Sequence, residues 1–246
     1  MSYTAIILAA GSGSRLGRIT AEQPKCMVQL QGRPFLELLI LKLFREQCEK
    51  VIVVVGHRAD IIIEHIKHSQ LASLNITTVY QTGGEGTLPA LLSGFAQAIL
   101  CLNADTILDI NYGAVMDRHR QSGWDATLVT TELADVPNRG AIEIDSSDRV
   151  ISFREGQSFQ ISNSDDYRSV SNCGCYGFSV DTLCYLTALS GRHSLETECL
   201  PLLAQERRVG SFSNGQKLFL DFGTPERLRR AMSLPRDVMD RIYHLG

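Results

Sequence analysis

The sequence predicts an α/β fold, a three-layer sandwich with a mostly parallel mixed central sheet. Three observations carry that expectation. The apolar runs Thr4 to Ala10 and Lys50 to Gly56 lack polar alternation, as strands buried on both faces do. Stretches with helical spacing separate such runs, so β and α alternate through the first 80 residues. A hairpin-like pattern after about residue 139 then adds antiparallel strands.

Each element follows from a local pattern. Pro34 to Gln47 carries apolar residues at Phe35, Leu38, Leu39, Leu41, Leu43 and Phe44, a helix with proline in its first turn. Ala59 to His68 is a short helix, and Asn75 to Tyr80 a third strand. His57, His65 and His68 lie on or beside that helix, but no acidic residue completes a metal cage with them, and they read as surface histidines. Leu88 to Ile99 reads as a helix, and Ile99 to Ile107 as a fourth strand that ends in the carboxylate of Asp105. Asn111 to Gly123 is a helix and Asp125 to Thr131 a strand. Arg139 to Asp145 and Arg149 to Phe153 form a hairpin turning at Ser146-Ser147-Asp148. The polar stretch from Gly156 to Ser171 reads as a loop, followed by a strand to Phe178. Asp181 caps a helix to Leu189, and Ser194 caps another. Val209 to Ser213 and Lys217 to Phe222 are strands. Two helices close the chain, Glu226 to Ser233 behind a Thr224 cap, and Arg236 to Tyr243. Packing against the body and a homodimer are both open to them.

Composition narrows the function classes. The 246 residues, 44% of them hydrophobic, suit one large domain or two small ones. Read as one domain, the chain has halves at about 1–110 and 111–225, with terminal helices at 226–246. A net charge of −3 argues against general attraction to nucleic acid or a membrane. No apolar run is long enough to span a bilayer. Seven cysteines, an odd number partly in core segments, point to reduced thiols in a cytoplasmic protein. Cys173 and Cys175 share one strand face, but a metal site would need two more ligands nearby, and none follows.

The chemistry concentrates after the first strand. Gly11-Ser12-Gly13-Ser14-Arg15 is a glycine loop whose amides and hydroxyls can approach an anion closely. Arg15 and Lys25 add positive charge. Neither the P-loop pattern nor G-x-G-x-x-G is present. A second glycine loop, Gln81 to Thr87, follows the third strand, so both fall at the carboxyl edge of the sheet. Asp105 ends an apolar strand, where a carboxylate needs a partner such as a hard cation.

The run L-A-A-G-x-G-x-R-L from Leu8 to Leu16, followed by Pro24-Lys25, resembles the signature of the sugar-1-phosphate nucleotidyltransferases. Leu220 to Glu226 resembles that family's closing W-x-D-x-G-T-P-E, Ser171 to Phe178 its N-x-G-x-Y-x-F, and Ser194 to Pro201 its S-x-E-x-x-x-L-P. The resemblance implies a Rossmann-like sandwich with a small second sheet covering a sugar site. It implies a reaction of a nucleoside triphosphate with a sugar 1-phosphate, giving NDP-sugar and pyrophosphate with Mg²⁺. Leu8, Ala9, Ala10, Gly11, Ser12, Gly13, Ser14, Gln81, Gly86, Thr87 and Asn103 would bind the nucleotide. Gly140, Glu155 and Asn172 would touch the sugar. Asp105 and Asp221 would hold the metal, Arg15 the leaving pyrophosphate and Lys25 the α-phosphate.

Two departures stand out. Ala104 replaces the family's usual glycine before Asp105. Gly156 replaces a lysine that in relatives helps hold the sugar phosphate, leaving Arg154 or Arg168 as candidates for that cation. Leu102 to Ile107 resembles heptose- or mannose-1-phosphate guanylyltransferases, while Gln81 with Gly86 also resembles the thymidylyl and uridylyl arrangement. A non-sugar acceptor such as phosphocholine or a cyclitol phosphate, and a non-catalytic sensor, are the alternatives.

Overall fold

The computed structural model describes residues 2–11, 13–81, 98–132, 141–154, 167–188, 195–206 and 208–244. β1 (Tyr3–Ala9) is almost wholly buried and leads to a short helix, α1 (Arg18–Ala21). A small hairpin, β2 (Gln29–Leu30) and β3 (Arg33–Pro34), precedes α2 (Phe35–Arg45). Pro34 stands at the N-cap of α2 rather than inside its first turn, with extended backbone at ψ 135°. β4 (Cys48–Val55), α3 (Ala59–His68) and β5 (Ile76–Tyr80) follow as their patterns predict. The helix expected over Leu88 to Ile99 lies outside the described residues up to position 97.

The expected fourth strand is two strands, β6 (Ile99–Asn103) and β7 (Thr106–Leu108). Asp105 therefore sits in a turn between them, not at a strand end. α4 (Tyr112–Ser122), β8 (Ala126–Glu132), β9 (Ala141–Asp145) and β10 (Val150–Arg154) come next. β11 (Tyr167–Phe178) begins inside the stretch expected to be loop. Pairing explains this: its first half hydrogen-bonds to β9 from Tyr167↔Asp145 onward, which polar composition alone does not reveal. α5 (Val180–Ala188) is capped by Ser179, whose Oγ accepts from the Thr182 amide at 3.2 Å; Asp181 lies within the first turn. A wide turn over Leu195–Cys199 enters α6 (Leu200–Glu206), while its expected cap, Ser194, lies outside the described residues. β12 (Val209–Ser213), β13 (Phe219–Asp221), α7 (Pro225–Met232) and α8 (Arg236–Tyr243) complete the chain.

The α/β class holds: a mostly parallel mixed central sheet carries helices on both sides, and a small second sheet exists. The chain divides into two compact units. The first takes the described residues up to 81, with 101–113 and 218–244. Its strands run in the order β6-β1-β4-β5, with β1–β4 and β4–β5 parallel. Parallel neighbours need crossovers, which α2 and α3 supply. β13 pairs antiparallel with β7, so the chain returns to this unit from more than 100 residues away. The second unit takes 98–100 and 114–217 among the described residues. There β11 pairs antiparallel with β9 and β8, and β12 runs parallel to β8.

Candidate active site

Steric necessity shapes the first glycine loop. Gly13 has φ +62°, and a Cβ there would stand 2.9 Å from Thr20 Cγ2. Thr20 is 2% exposed. It donates its hydroxyl to the Gly13 carbonyl at 2.9 Å, and Leu16 N donates to the same carbonyl. His57 donates a ring nitrogen to the Thr20 carbonyl at 3.1 Å and its amide to the Ala10 carbonyl at 3.3 Å. The loop is thus tied at its base by Thr20 and at its start by the end of β4. Thr20 did not stand out in the sequence, and His57 read there as a surface histidine. The histidine is a half-buried strut rather than a surface group, as is His65, whose Nε2 lies 2.7 Å from Glu37 Oε2.

One carboxylate, Asp105, lines a crevice of this unit, and a second, Asp221, lies beside it. Lys25 follows Pro24 in a single tight turn, and its Nζ pairs with Asp105 Oδ2. Asp221 ends β13 opposite Thr106, and the Phe222 amide donates to the Asp105 carbonyl at 3.0 Å. Backbone pairing of the small sheet therefore sets both carboxylates at one end. Arg227 Nη1 donates to Asp221 Oδ1 at 2.8 Å and Oδ2 at 3.0 Å. Gly223 explains the close approach: a Cβ on it would lie 3.2 Å from Asp221 Oδ1 and 3.3 Å from Lys25 Nζ. Any side chain there would fill the space between the charged groups.

The crevice is lined by Leu8, Ala9, Gly11, Gly13, Lys25, Cys26, Asn103, Ala104 and Asp105. Six residues expected to bind nucleotide or phosphate, together with Asp105, share it. Ala10 instead faces Gly56, where a Cβ would lie 2.8 Å from its carbonyl. Arg15 is exposed and is not among the lining residues. Gln81 is exposed, with its amide on the Val55 carbonyl at 2.8 Å. Ser12, Gly86, Thr87, Gly140 and Glu155 lie outside the described residues, as does the side chain of Ser14. Cys26 beside Lys25 is an inert thiol, because burial pushes its pKa up to about 12.

In the second unit Asn172 donates Nδ2 to the Tyr176 hydroxyl at 2.8 Å and accepts from the Gly174 amide at 3.1 Å. Tyr176 in turn reaches Glu196 Oε1 at 3.5 Å. Arg168, a candidate phosphate cation, pairs with Asp148 at 2.8 Å in an exposed hairpin turn. The Arg154 side chain lies outside the described residues.

The family described as Nucleotidyl transferase matches residues 4–237. The chain belongs to that family. A UTP–glucose-1-phosphate uridylyltransferase, AglF of Haloferax volcanii, is 33% identical over 132 residues, covering 52% of this chain and 54% of its own. A D-glycero-alpha-D-manno-heptose 1-phosphate guanylyltransferase of Aneurinibacillus thermoaerophilus is 26% identical over 92% of this chain and 96% of its own. The crystal structure of HddC from Yersinia pseudotuberculosis superposes with TM-score 0.75 at 24% identity, over 94% of this chain and 98% of that one. This last likeness shows the fold. The chain spans little more than half the length of several curated relatives, such as 62% of the catalytic subunit beta of Drosophila melanogaster mannose-1-phosphate guanylyltransferase.

Among the described residues no three acidic, histidine or cysteine side chains gather into a cage. Asp105 and Asp221, brought near each other by the β7–β13 pairing, are oxygen donors of the kind that suits Mg²⁺, which keeps waters and takes substrate phosphates as its other ligands. No helix among the described residues is long and apolar enough to cross a membrane.

Proposed function

We propose that this chain is a cytoplasmic, Mg²⁺-dependent sugar-1-phosphate nucleotidyltransferase. It would join a nucleoside triphosphate to a sugar 1-phosphate and release pyrophosphate. The observation that carries this reading is the glycine-loop crevice lined by the Lys25–Asp105 ion pair, with the Asp221–Arg227 pair brought close to it by the β7–β13 pairing. The heptose-1-phosphate guanylyltransferase relative, covered along 96% of its length, supports a guanylyl donor and a heptose or mannose acceptor. The structure of HddC complexed with GMP-PN supports a nucleotide ligand on this fold.

A sugar phosphate is already an anion, so no strong base is needed. The work is to bring anions together and to neutralise the charge that builds on the attacked phosphorus. Asp105 and Asp221 would hold Mg²⁺, which supplies charge neutralisation across the phosphates when bound. Lys25 would leave Asp105 for the α-phosphate. The amides from Gly11 to Ser14 and the Arg15 guanidinium would receive the departing pyrophosphate. Asn172, partly exposed and braced by the buried Tyr176 hydroxyl, would offer its amide to sugar hydroxyls.

Pyrophosphate release with Mg²⁺ tests this, across ATP, GTP, CTP, UTP and dTTP against hexose and heptose 1-phosphates. The expected result is strong turnover with GTP and a heptose or mannose 1-phosphate, lost in D105N. Turnover only with phosphocholine or a cyclitol phosphate would move the acceptor class. Nucleotide binding without any turnover would make the chain a sensor.

A further inference from the structure

Arg227 occupies a position that its own helix disfavours. Thr224 caps α7, so Arg227 is the third helical residue, within the first turn. A cation there opposes the positive end of the helix dipole. The opposing charge is Asp221, and the contact covers both carboxylate oxygens. Its geometry is held from two sides. The Arg227 amide donates to Thr224 Oγ1 at 3.3 Å, and the Gly223 amide donates to Asp221 Oδ1 at 3.3 Å. The pair is only partly exposed, at 26% and 23% of the side chains. Asp105 is likewise engaged, through Lys25 on Oδ2 and the Thr106 hydroxyl on Oδ1.

We propose that Arg227 is the resident counter-ion of Asp221, a positioning residue that keeps the divalent cation out of the ligand-free crevice. A bare cation arriving there meets two carboxylates already neutralised by fixed positive charge. It must displace a guanidinium and an ammonium with nothing offered to either in return. A cation that arrives with a nucleoside triphosphate brings phosphate oxygens. Those oxygens accept the released Arg227 and Lys25, and Arg is suited to grip phosphate bidentately. Arg227 would then turn to a phosphate oxygen of the bound nucleotide, leaving Asp221 available to hold the metal. The inference rests on the transferase reading for the identity of the nucleotide, but the ion-pair competition stands without any turnover.

The test is Mn²⁺ binding to the full chain without nucleotide, read by electron paramagnetic resonance of the free ion. Wild-type protein is expected to bind weakly. R227Q is expected to bind about tenfold more tightly, the size of one charge-assisted contact removed. R227K keeps the charge and should return to weak binding, and R227Q combined with D221N should lose the gain. Equal or weaker binding by R227Q, or a gain that survives D221N, overturns the proposal. The wild-type chain supplies a second reading that needs no variant to fold: adding a nucleoside triphosphate should raise protein-bound Mn²⁺ at least tenfold by water-proton relaxation. Tight binding by wild type without nucleotide would also overturn it. Pyrophosphate release is measured separately, so failure of the transferase reading leaves these results interpretable.

Discussion

Beside the glycine loop of the first unit, Lys25 with Asp105 and Arg227 with Asp221 are charged pairs, part exposed to solvent. In the second unit several buried polar side chains are neutral and paired with one another: Thr130 meets Ser211 at 2.7 Å within the sheet, and His119 of α4 meets Thr127 at 2.8 Å. The difference separates exchangeable from fixed interactions. An ion pair still in contact with solvent is held weakly enough to trade its partner for a ligand charge. A buried neutral pair is costly to open, so it defines shape rather than responding to charge. The first unit shows the contrast internally as well. Lys42 and Glu46 pair at 3% and 5% exposure, with Glu46 also accepting the Tyr112 amide at 2.7 Å. That buried pair anchors α2 and offers nothing to a ligand.

Substitutions that separate chemistry from folding would sharpen this comparison. The largest effect belongs to the charged edge. D105N and K25M should each lower the rate of pyrophosphate release by roughly 10²–10³-fold, with the melting temperature close to wild type. A comparable fall in melting temperature would break the distinction. G210A should do the reverse. A Cβ at that position would lie 1.8 Å from the Trp124 ring, so urea unfolding should show a loss of about 3 kcal/mol. Trp124 is the only tryptophan, so its fluorescence reports the local change.

His119 supplies a pH test of the second unit. Burial first, then the neighbouring Arg120 charge, lowers its pKa from 6.5 to about 4. The unfolded chain therefore takes up a proton that the folded chain refuses. Stability from this group is complete above pH 6.5 and is lost as pH falls toward 4, by roughly 3 kcal/mol across that window. H119Q should flatten the dependence in urea titrations at pH 7 and 4.5, and an unchanged slope would count against a buried neutral histidine. The smallest effect is expected at Thr20. T20V removes the hydroxyl from the Gly13 carbonyl and should weaken nucleotide binding by about 1 kcal/mol, with T20S restoring it. Loss of turnover at unchanged nucleotide affinity would show that the hydroxyl has another role.

Several features were legible because their causes are local. β1 is apolar on both faces, and the helix over Ala59–His68 has the expected bounds because its pattern is complete within itself. Thr224 and Pro225 mark the start of α7 by cap chemistry that needs no distant partner. Other features were hidden for an equally physical reason. The break at Ala104-Asp105 arises because β7 leaves to pair with β13, a partner encoded at the far end of the chain. The cap of α5 belongs to Ser179 rather than Asp181, a choice between two good capping residues that the path of β11 settles.

The sequence alone determined the alternation of strands and helices, the glycine loop, and the residue types that could meet a phosphate or a metal. Hydrophobic period, turn chemistry and capping act over a few residues, so they can be read in order along the chain. Only the tertiary structure decided which charges share one edge. Lys25 and Asp105 are 80 positions apart, and Arg227 reaches Asp221 across a turn in which Gly223 leaves space between the charged groups. Pairing between distant charges depends on backbone register in a sheet assembled from both ends of the chain, and no local pattern carries that register.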